Sequence, residues 1–356
     1  MDLTQAVSPS RHARRPAAEP RRRARAAGRF DLSPPPWVVQ LFDGAAPAAD
    51  GAPVRKGGAA QVTVTDSPDF TLVTARVARA ADLDSAAFRR RAAEAYQSIA
   101  DALAARPQRH VVRFWNHIPD IRRRDAAGHD RYMVFNAGRF AACSTWFGGP
   151  AAFDRLLPTA SAVGHDGPDL VVHALAGDDP GVAVENPRQV PSYRYSRRFG
   201  PRPPCFARAT VLAGATNSTT GAPAAKNPLI LVAGTASIRG EETVHVGDVR
   251  GQTRETFENL AVLIESASAV AAPQVEATPA ASAATSSDAL RQFRDLRVYY
   301  VRPGDRAVIA RMVAGATPHL ADVEFVRADL CRPDLLVEIE GTAHLSSSPL
   351  PGSLGI

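Results

Sequence analysis

The sequence predicts an α+β fold of two tandem sheet domains, each a mixed sheet with helices packed on one face. Three observations carry this. Segments that alternate apolar and polar residues at the period of a strand occur in both halves. A long stretch with apolar residues at helical spacing follows such strands in each half. The order of strands, helix, strand and Pro/Asp turn then recurs roughly 185 residues later, the mark of a diverged internal duplication.

In chain order, Trp37–Phe42 after Pro34-Pro35-Pro36 reads as a short strand, and Val62–Thr65 and Phe70–Ala75 alternate as two more. Asp84 is placed to cap a helix over about 86–105, with Phe88, Ala92, Ala95, Tyr96, Ile99 and Leu103 on one stripe. His110–Trp115 is the next strand and runs into Ile118-Pro119-Asp120. In the second half Leu229–Ser237 is an apolar strand ending in small residues. A helix over about 249–267 follows, through Thr253, Phe257, Leu260 and Ile264, and then Leu296–Val301 leads into Pro303-Gly304-Asp305. These elements divide the chain into a tail (1–33), an N-terminal domain (34–190), a C-terminal domain (191–346) and a flexible end (347–356). The Ala, Ser, Thr and Pro of 268–288 read as a surface insertion. The seam between two such halves is a natural place for a pocket.

Charge and cysteine usage exclude several classes. The net charge is +6, and residues 1–30 hold eight Arg against Asp2 and Glu19, so the head accounts for all of it. The remainder is neutral, which argues against nucleic acid as a partner; the head reads as a disordered tail, with a targeting peptide or phosphate-binding arm as the other readings. No apolar run reaches about 18 residues, so no membrane span is expected. Cys143, Cys205 and Cys331 are odd in number and far apart, and they form neither a zinc spacing nor a disulfide framework. A cytoplasmic protein without metal is expected. Gly148-Gly149 and Gly164 make no phosphate loop, so no nucleotide cofactor is expected either.

The chemically informative segment is Leu335–Gly341. Alternation points Val337 and Ile339 one way and Glu338 and Glu340 the other. Two surface glutamates on a half-exposed strand would give this pattern. So would a desolvated carboxyl, which holds its proton near neutral pH and can act as an acid. Arg208, between Phe206 and Thr210, is costly inside a strand unless a carboxylate meets it, either a neighbouring side chain or an anionic ligand. Arg139 follows Gly138, which would let backbone approach a ligand. No His stands reliably beside Cys331, so it reads as a pocket-lining residue rather than a nucleophile.

The cluster Gly234-Thr235-Ala236-Ser237-Ile238, His245, Gly247-Asp248-Val249, Gln252 and Asn259, closed by Val337-Glu338-Ile339-Glu340, resembles the RidA/YjgF-like (chorismate mutase-like) fold. More closely, the chain resembles the chorismatases, which pair a degenerate N-terminal copy of that fold with an intact one. Arg113–Pro119, Phe135–Arg139, Ser161–Gly164, Pro187–Val190, Tyr193–Tyr195 and Phe206–Ala209 match that family. The resemblance covers about residues 35–345. It implies chorismate as substrate, no cofactor, and a monomer or trimer. It also implies a general acid at Glu338 that protonates the enolpyruvyl methylene, so that pyruvate leaves. Arg139 and Arg208 become candidate carboxylate anchors and Tyr195 a candidate for the pocket wall. The branch that forms 3-hydroxybenzoate resembles this chain in carrying Cys seven residues ahead of that Glu, where Cys331 stands; the hydrolytic branch, which yields a trans-dihydroxycyclohexadiene carboxylate, tends to carry Ala. The different-class reading is a RidA-like binder of small carboxylates without catalysis. Ordinary RidA deaminases place an anchoring Arg about fifteen residues ahead of the Glu; here that position is Val323, and a gap would supply Arg327.

Overall fold

The computed structural model describes residues 31–42, 60–213, 228–271 and 286–345. The Arg-rich head up to residue 30, the core of the insertion (272–285) and the end from 346 lie outside the described residues.

The first half contains helix α1 (Pro36–Gln40), strands β1 (Gln61–Asp66) and β2 (Thr71–Val77), helix α2 (Ser85–Leu103) and strand β3 (His110–Pro119). Helices α3 (Arg131–Trp146) and α4 (Phe153–Leu156) and strands β4 (Thr159–His165) and β5 (Leu170–Gly177) complete it. The second half contains β6 (Val182–Val184), β7 (Ala209–Leu212), β8 (Leu229–Ala236), the small hairpin β9 (Ile238–Arg239) and β10 (Glu242–Thr243), and α5 (Val249–Ala271). Then come α6 (Ser286–Leu290), β11 (Phe293–Tyr300), α7 (Arg306–Ala316), β12 (Glu324–Arg327) and β13 (Val337–His344).

The duplication is visible in the topology. The first sheet runs β1-β2-β5-β3-β4 and the second runs β12-β11-β13-β8-β7-β6. Taken from β7, the second repeats the first strand for strand: β7-β8-β13-β11-β12. Even the one parallel pair, β3 with β4, recurs as β11 with β12. The chain passes from the first sheet to the second between Gly177 and Val182, so β6 joins the second sheet ahead of residue 190.

Each sheet buries one face under helices. Phe88, Tyr96 and Ile99 of α2 pack on Phe114 and Ile118 of β3, and Leu260 and Ile264 of α5 pack on Val298, Val337 and Ile339. The other two faces meet each other through an apolar layer that includes Val38, Trp115, Leu175, Leu229 and Leu231. Asp84 caps α2 as its spacing predicts, its side chain accepting from Ala87 N at 2.7 Å.

Two expectations are corrected. Trp37–Phe42 is not a strand: Pro36 opens a short helix whose Val38 wedges between the sheets. An apolar run this short suits either state, and proline at the first helical position decides it. Gly138 does not make room for a ligand. It lies in α3 where α2 crosses, and a Cβ there would sit 2.3 Å from Arg89 O. That contact is with backbone and has no way to yield, so Gly138→Ala is expected to destabilise the fold by about 2–3 kcal/mol. Denaturant unfolding checks this; an unchanged midpoint would show that the helices separate freely.

The interior between the sheets is polar at two places. The β3–β5 ladder shifts between Val111 and Arg113, and this bulge turns both Val112 and Arg113 toward the second sheet. Matching the halves at the first residue of each parallel pair, Arg113 and Arg297, sets Trp115 against Tyr299 and their β5 and β13 partners, His173 and Glu338, against each other. At His173 the chain closes over itself: its ring nitrogens meet Thr74 Oγ1 and Leu32 O, both at 2.7 Å, while Arg297 donates to Ser33 O at 3.3 Å. Burial lowers the His173 pKa to about 4, so the ring is neutral. At Glu338 the same position opens onto a cavity.

Candidate active site

The cavity holds about 320 Å³ between the ends of the two sheets. All five residues singled out in the sequence line it: Arg139, Tyr195, Arg208, Cys331 and Glu338. They come from α3, the turn after Ser192–Arg194, the approach to β7, the β12–β13 connection and β13.

Glu338 and Glu340 are not surface residues; they are 4% and 1% exposed. The two carboxyls have opposite environments. Glu340 accepts from Arg113 Nη2 at 2.8 Å, Trp115 Nε1 at 3.0 Å and Tyr299 OH at 3.2 Å. These three donors, the buried Arg113 guanidinium among them, satisfy and fix that carboxyl. Glu338 has no such clamp. Burial pushes its pKa from an ordinary 4.5 up to about 8, the Glu340 charge adds to the shift, and Arg113 and Arg208 oppose it. Glu338 is therefore a protonated acid at neutral pH, held against a pocket wall. Gly234 makes room for it: a Cβ there would lie 2.0 Å from Glu338 Oε1.

Arg208 is 3% exposed and stands just ahead of β7 rather than within a strand. Its Nη2 donates to Tyr195 OH at 2.8 Å and Val190 O at 3.1 Å. Its Nε is buried without a hydrogen bond, 4.0 Å from Glu185 Oε2. Burial raises the Glu185 carboxyl to about 7, and Arg208 draws it down. Arg139, 1% exposed, is braced by Asn136 Oδ1 at 2.9 Å, and its Nε has no partner. Two buried guanidinium groups with unused donors call for an anion.

Cys331 is half-buried, and its thiol is pushed up to about 12 by burial and by Glu338. A thiol so held is no nucleophile at neutral pH, in line with its reading as pocket lining. Arg327 ends β12 bound to Asp166 and Asp329, outside the lining, so it does not take the deaminase anchor's place.

The sequence did not single out Arg332, Tyr132, Ser161 or Arg113 as functional. Arg332 stacks 4.0 Å over the Phe199 ring and donates to Glu241 O at 2.7 Å, leaving Nη2 without a hydrogen bond. Ser161 and Arg113 lie inside segments that carry the family resemblance, but their function depends on partners far away in sequence. Among the described residues no group of three or more His, Cys, Asp or Glu is placed to hold a metal ion, and no helix is long and apolar enough to cross a membrane. The site is thus an arginine-lined hollow with the desolvated Glu338 carboxyl in its wall, suited to a small organic anion that must be protonated.

The comparisons agree on one family. A family profile described as Chorismatase FkbO/Hyg5-like, N-terminal, matches residues 49–176. A chorismatase of Streptomyces rapamycinicus is 30% identical over 292 residues, covering 81% of this chain and 79% of that protein. A 3-hydroxybenzoate synthase of Streptomyces hygroscopicus is 36% identical over 235 residues, 65% of this chain but only 62% of the relative's own length. A chorismatase crystal structure superposes with a TM-score of 0.63 at 28% identity, covering 82% of this chain and 80% of that one. The chain belongs to the chorismatase family.

Proposed function

We propose that this chain converts chorismate to 3-hydroxybenzoate and pyruvate. Glu338 is the general acid and protonates the terminal methylene of the enolpyruvyl group. Protonation turns the enol ether into an oxocarbenium ion. The ring's own hydroxyl adds to that ion and gives up its O–H proton, forming a cyclic ketal. One ring C–O bond then breaks with loss of one ring C–H proton, which makes the ring aromatic. Cleavage of the remaining ketal C–O bond releases pyruvate and the protonated phenol. Together the two products contain the atoms of chorismate, so no water is consumed overall. Hydrolytic capture would instead take up one water and leave the dihydroxycyclohexadiene acid.

The single observation that carries this reading is a desolvated, protonated carboxyl at Glu338 facing a pocket of arginines. Protonating carbon near neutral pH demands a buried donor, and a dianionic substrate demands cationic anchors. Arg139 and Arg208 take the two carboxylates, and Tyr195 holds Arg208 in place. The relative at 36% identity, itself a 3-hydroxybenzoate synthase, supports the product assignment, as does Cys331 in the wall beside Glu338.

The test is to incubate purified protein with chorismate and separate the products by chromatography. Pyruvate with 3-hydroxybenzoate is the expected result; absence of pyruvate would overturn the reading. Cys331 is proposed to hold the ring so that its hydroxyl, rather than water, captures the cation. Cys331→Ala is therefore expected to shift product toward the diene diol, with total pyruvate release kept within about threefold, since a small apolar pocket contact is worth only about 1–3 kcal/mol. An unchanged product ratio would remove Cys331 from this role.

A further inference from the structure

Ser161 of β4 lines the cavity and is 4% exposed. Its hydroxyl oxygen accepts two hydrogen bonds, from Arg113 Nη2 at 2.7 Å and from the Gly234 backbone N–H at 2.9 Å. A hydroxyl has two acceptor lone pairs and one proton. With both lone pairs in use, Oγ–H remains as a donor. Among the described residues it has no protein acceptor. The Glu338 carboxyl borders the same spot: the point where a Gly234 Cβ would stand is 3.1 Å from Ser161 Oγ and 2.0 Å from Glu338 Oε1. The hydroxyl's orientation is well supported, because Arg113 is itself locked to Glu340, which Trp115 and Tyr299 also hold.

We propose that Ser161 is a further catalytic residue, whose hydroxyl donates a hydrogen bond to the Glu338 carboxylate as that carboxylate forms. The inference rests on Glu338 being the acid. The covalent step is a single proton transfer: the proton passes from the Glu338 carboxyl to the substrate methylene carbon, the carbon–carbon π pair forms the new C–H bond, and the negative charge stays on Glu338. Ser161 keeps its own proton throughout. The burial that keeps Glu338 protonated also makes its carboxylate costly to form. In the resting structure Ser161 and Glu338 are not hydrogen-bonded. A donor that gains its acceptor only as charge develops stabilises the transition state over the ground state.

The experiment is the pH dependence of kcat and kcat/KM for Ser161→Ala beside Ser161→Thr, which keeps the hydroxyl. The titratable and charged groups facing Glu338 are Glu340, Tyr299, Tyr132, Cys331, Arg113 and Arg208; all are unchanged in both variants. For Ser161→Ala we expect kcat to fall about 100-fold, the size seen when one preorganised donor is removed, with KM within about threefold. The alkaline limb should also move upward by about one pH unit, because losing a donor to the carboxylate favours the protonated form. Ser161→Thr should restore both. If alanine fails to fold, Ser161→Cys, a similar shape with a weak donor, should show the same shift. An alkaline limb that stays in place, or a threonine variant as impaired as alanine, would overturn the proposal by reducing Ser161 to a structural contact. Glu338→Gln, run in parallel, separates the two claims. Turnover surviving there removes the acid itself, and a dead Glu338→Gln beside an unshifted Ser161→Ala limb removes only Ser161.

Discussion

Glu338→Gln is expected to abolish turnover and, at the same time, to stabilise the protein. The loss follows from removing the only proton the reaction uses: general acid catalysis contributes about 10²–10⁴-fold, while the neutral amide leaves the pocket's shape and its arginines intact, so chorismate should still bind. The gain follows from linkage. Glu338 titrates near 4.5 when exposed and near 8 in its folded, desolvated site. Below pH 4.5 the carboxyl is protonated in both states and the fold loses nothing. Between 4.5 and 8 the unfolded chain ionises while the folded one does not, so wild-type stability drains away as pH rises, reaching its full loss above 8. Glutamine does not titrate and escapes that loss. The difference should be near zero at pH 4 and on the order of a few kcal/mol at pH 8. Denaturant unfolding at the two pH values, beside a pyruvate assay, measures both halves. Equal stability at pH 8 would mean that Glu338 is ionised in the fold, and the acid assignment would fall with it.

Arg208→Met should raise KM for chorismate by on the order of 100-fold, since truncating one partner of a buried charge pair costs about 2–5 kcal/mol. Folding should lose stability as well, because Tyr195 OH, Val190 O and the buried Glu185 lose their cationic partner, so KM is read on protein shown to be folded. Arg139→Met should behave alike, for its Nε also lacks a partner. Steady-state kinetics and calorimetric binding check the pair. If either variant keeps KM within about threefold, that arginine is structural, and the other must carry more of the anion binding.

Much of the fold was legible because its signals are local. Alternation over Leu335–Gly341 separated Val337 and Ile339 from Glu338 and Glu340, and the structure packs the first pair under α5 and turns the second inward. Asp84 announced its helix by the same local logic. The duplicated order of elements was readable too, although residue identity between the halves is low, because core patterning outlives sequence. The failures are the places where distant chain decides. Trp37–Phe42 took its state from Pro36 and from a slot between the sheets. Gly138 is small because α2 crosses it, which no pattern around residue 138 reveals. The choice between surface and buried for Glu338 depended on β3 and β4, more than 170 residues away. Ser161 is the extreme case, since its donor role exists only because Arg113 and Gly234, from two other strands, take up its lone pairs.

The strap at Leu32 and Ser33 has a consequence for what duplication achieved here. Two copies of one topology would ordinarily bring two equivalent hollows, yet the chain fills the first with its own backbone, at His173 and Arg297. The copy that gave up its hollow supplies Arg113 and Ser161 to the other. Division of labour thus replaced symmetry within a single polypeptide: among the described residues one half's hollow is filled, and that half serves as a fixed wall for the hollow of the other.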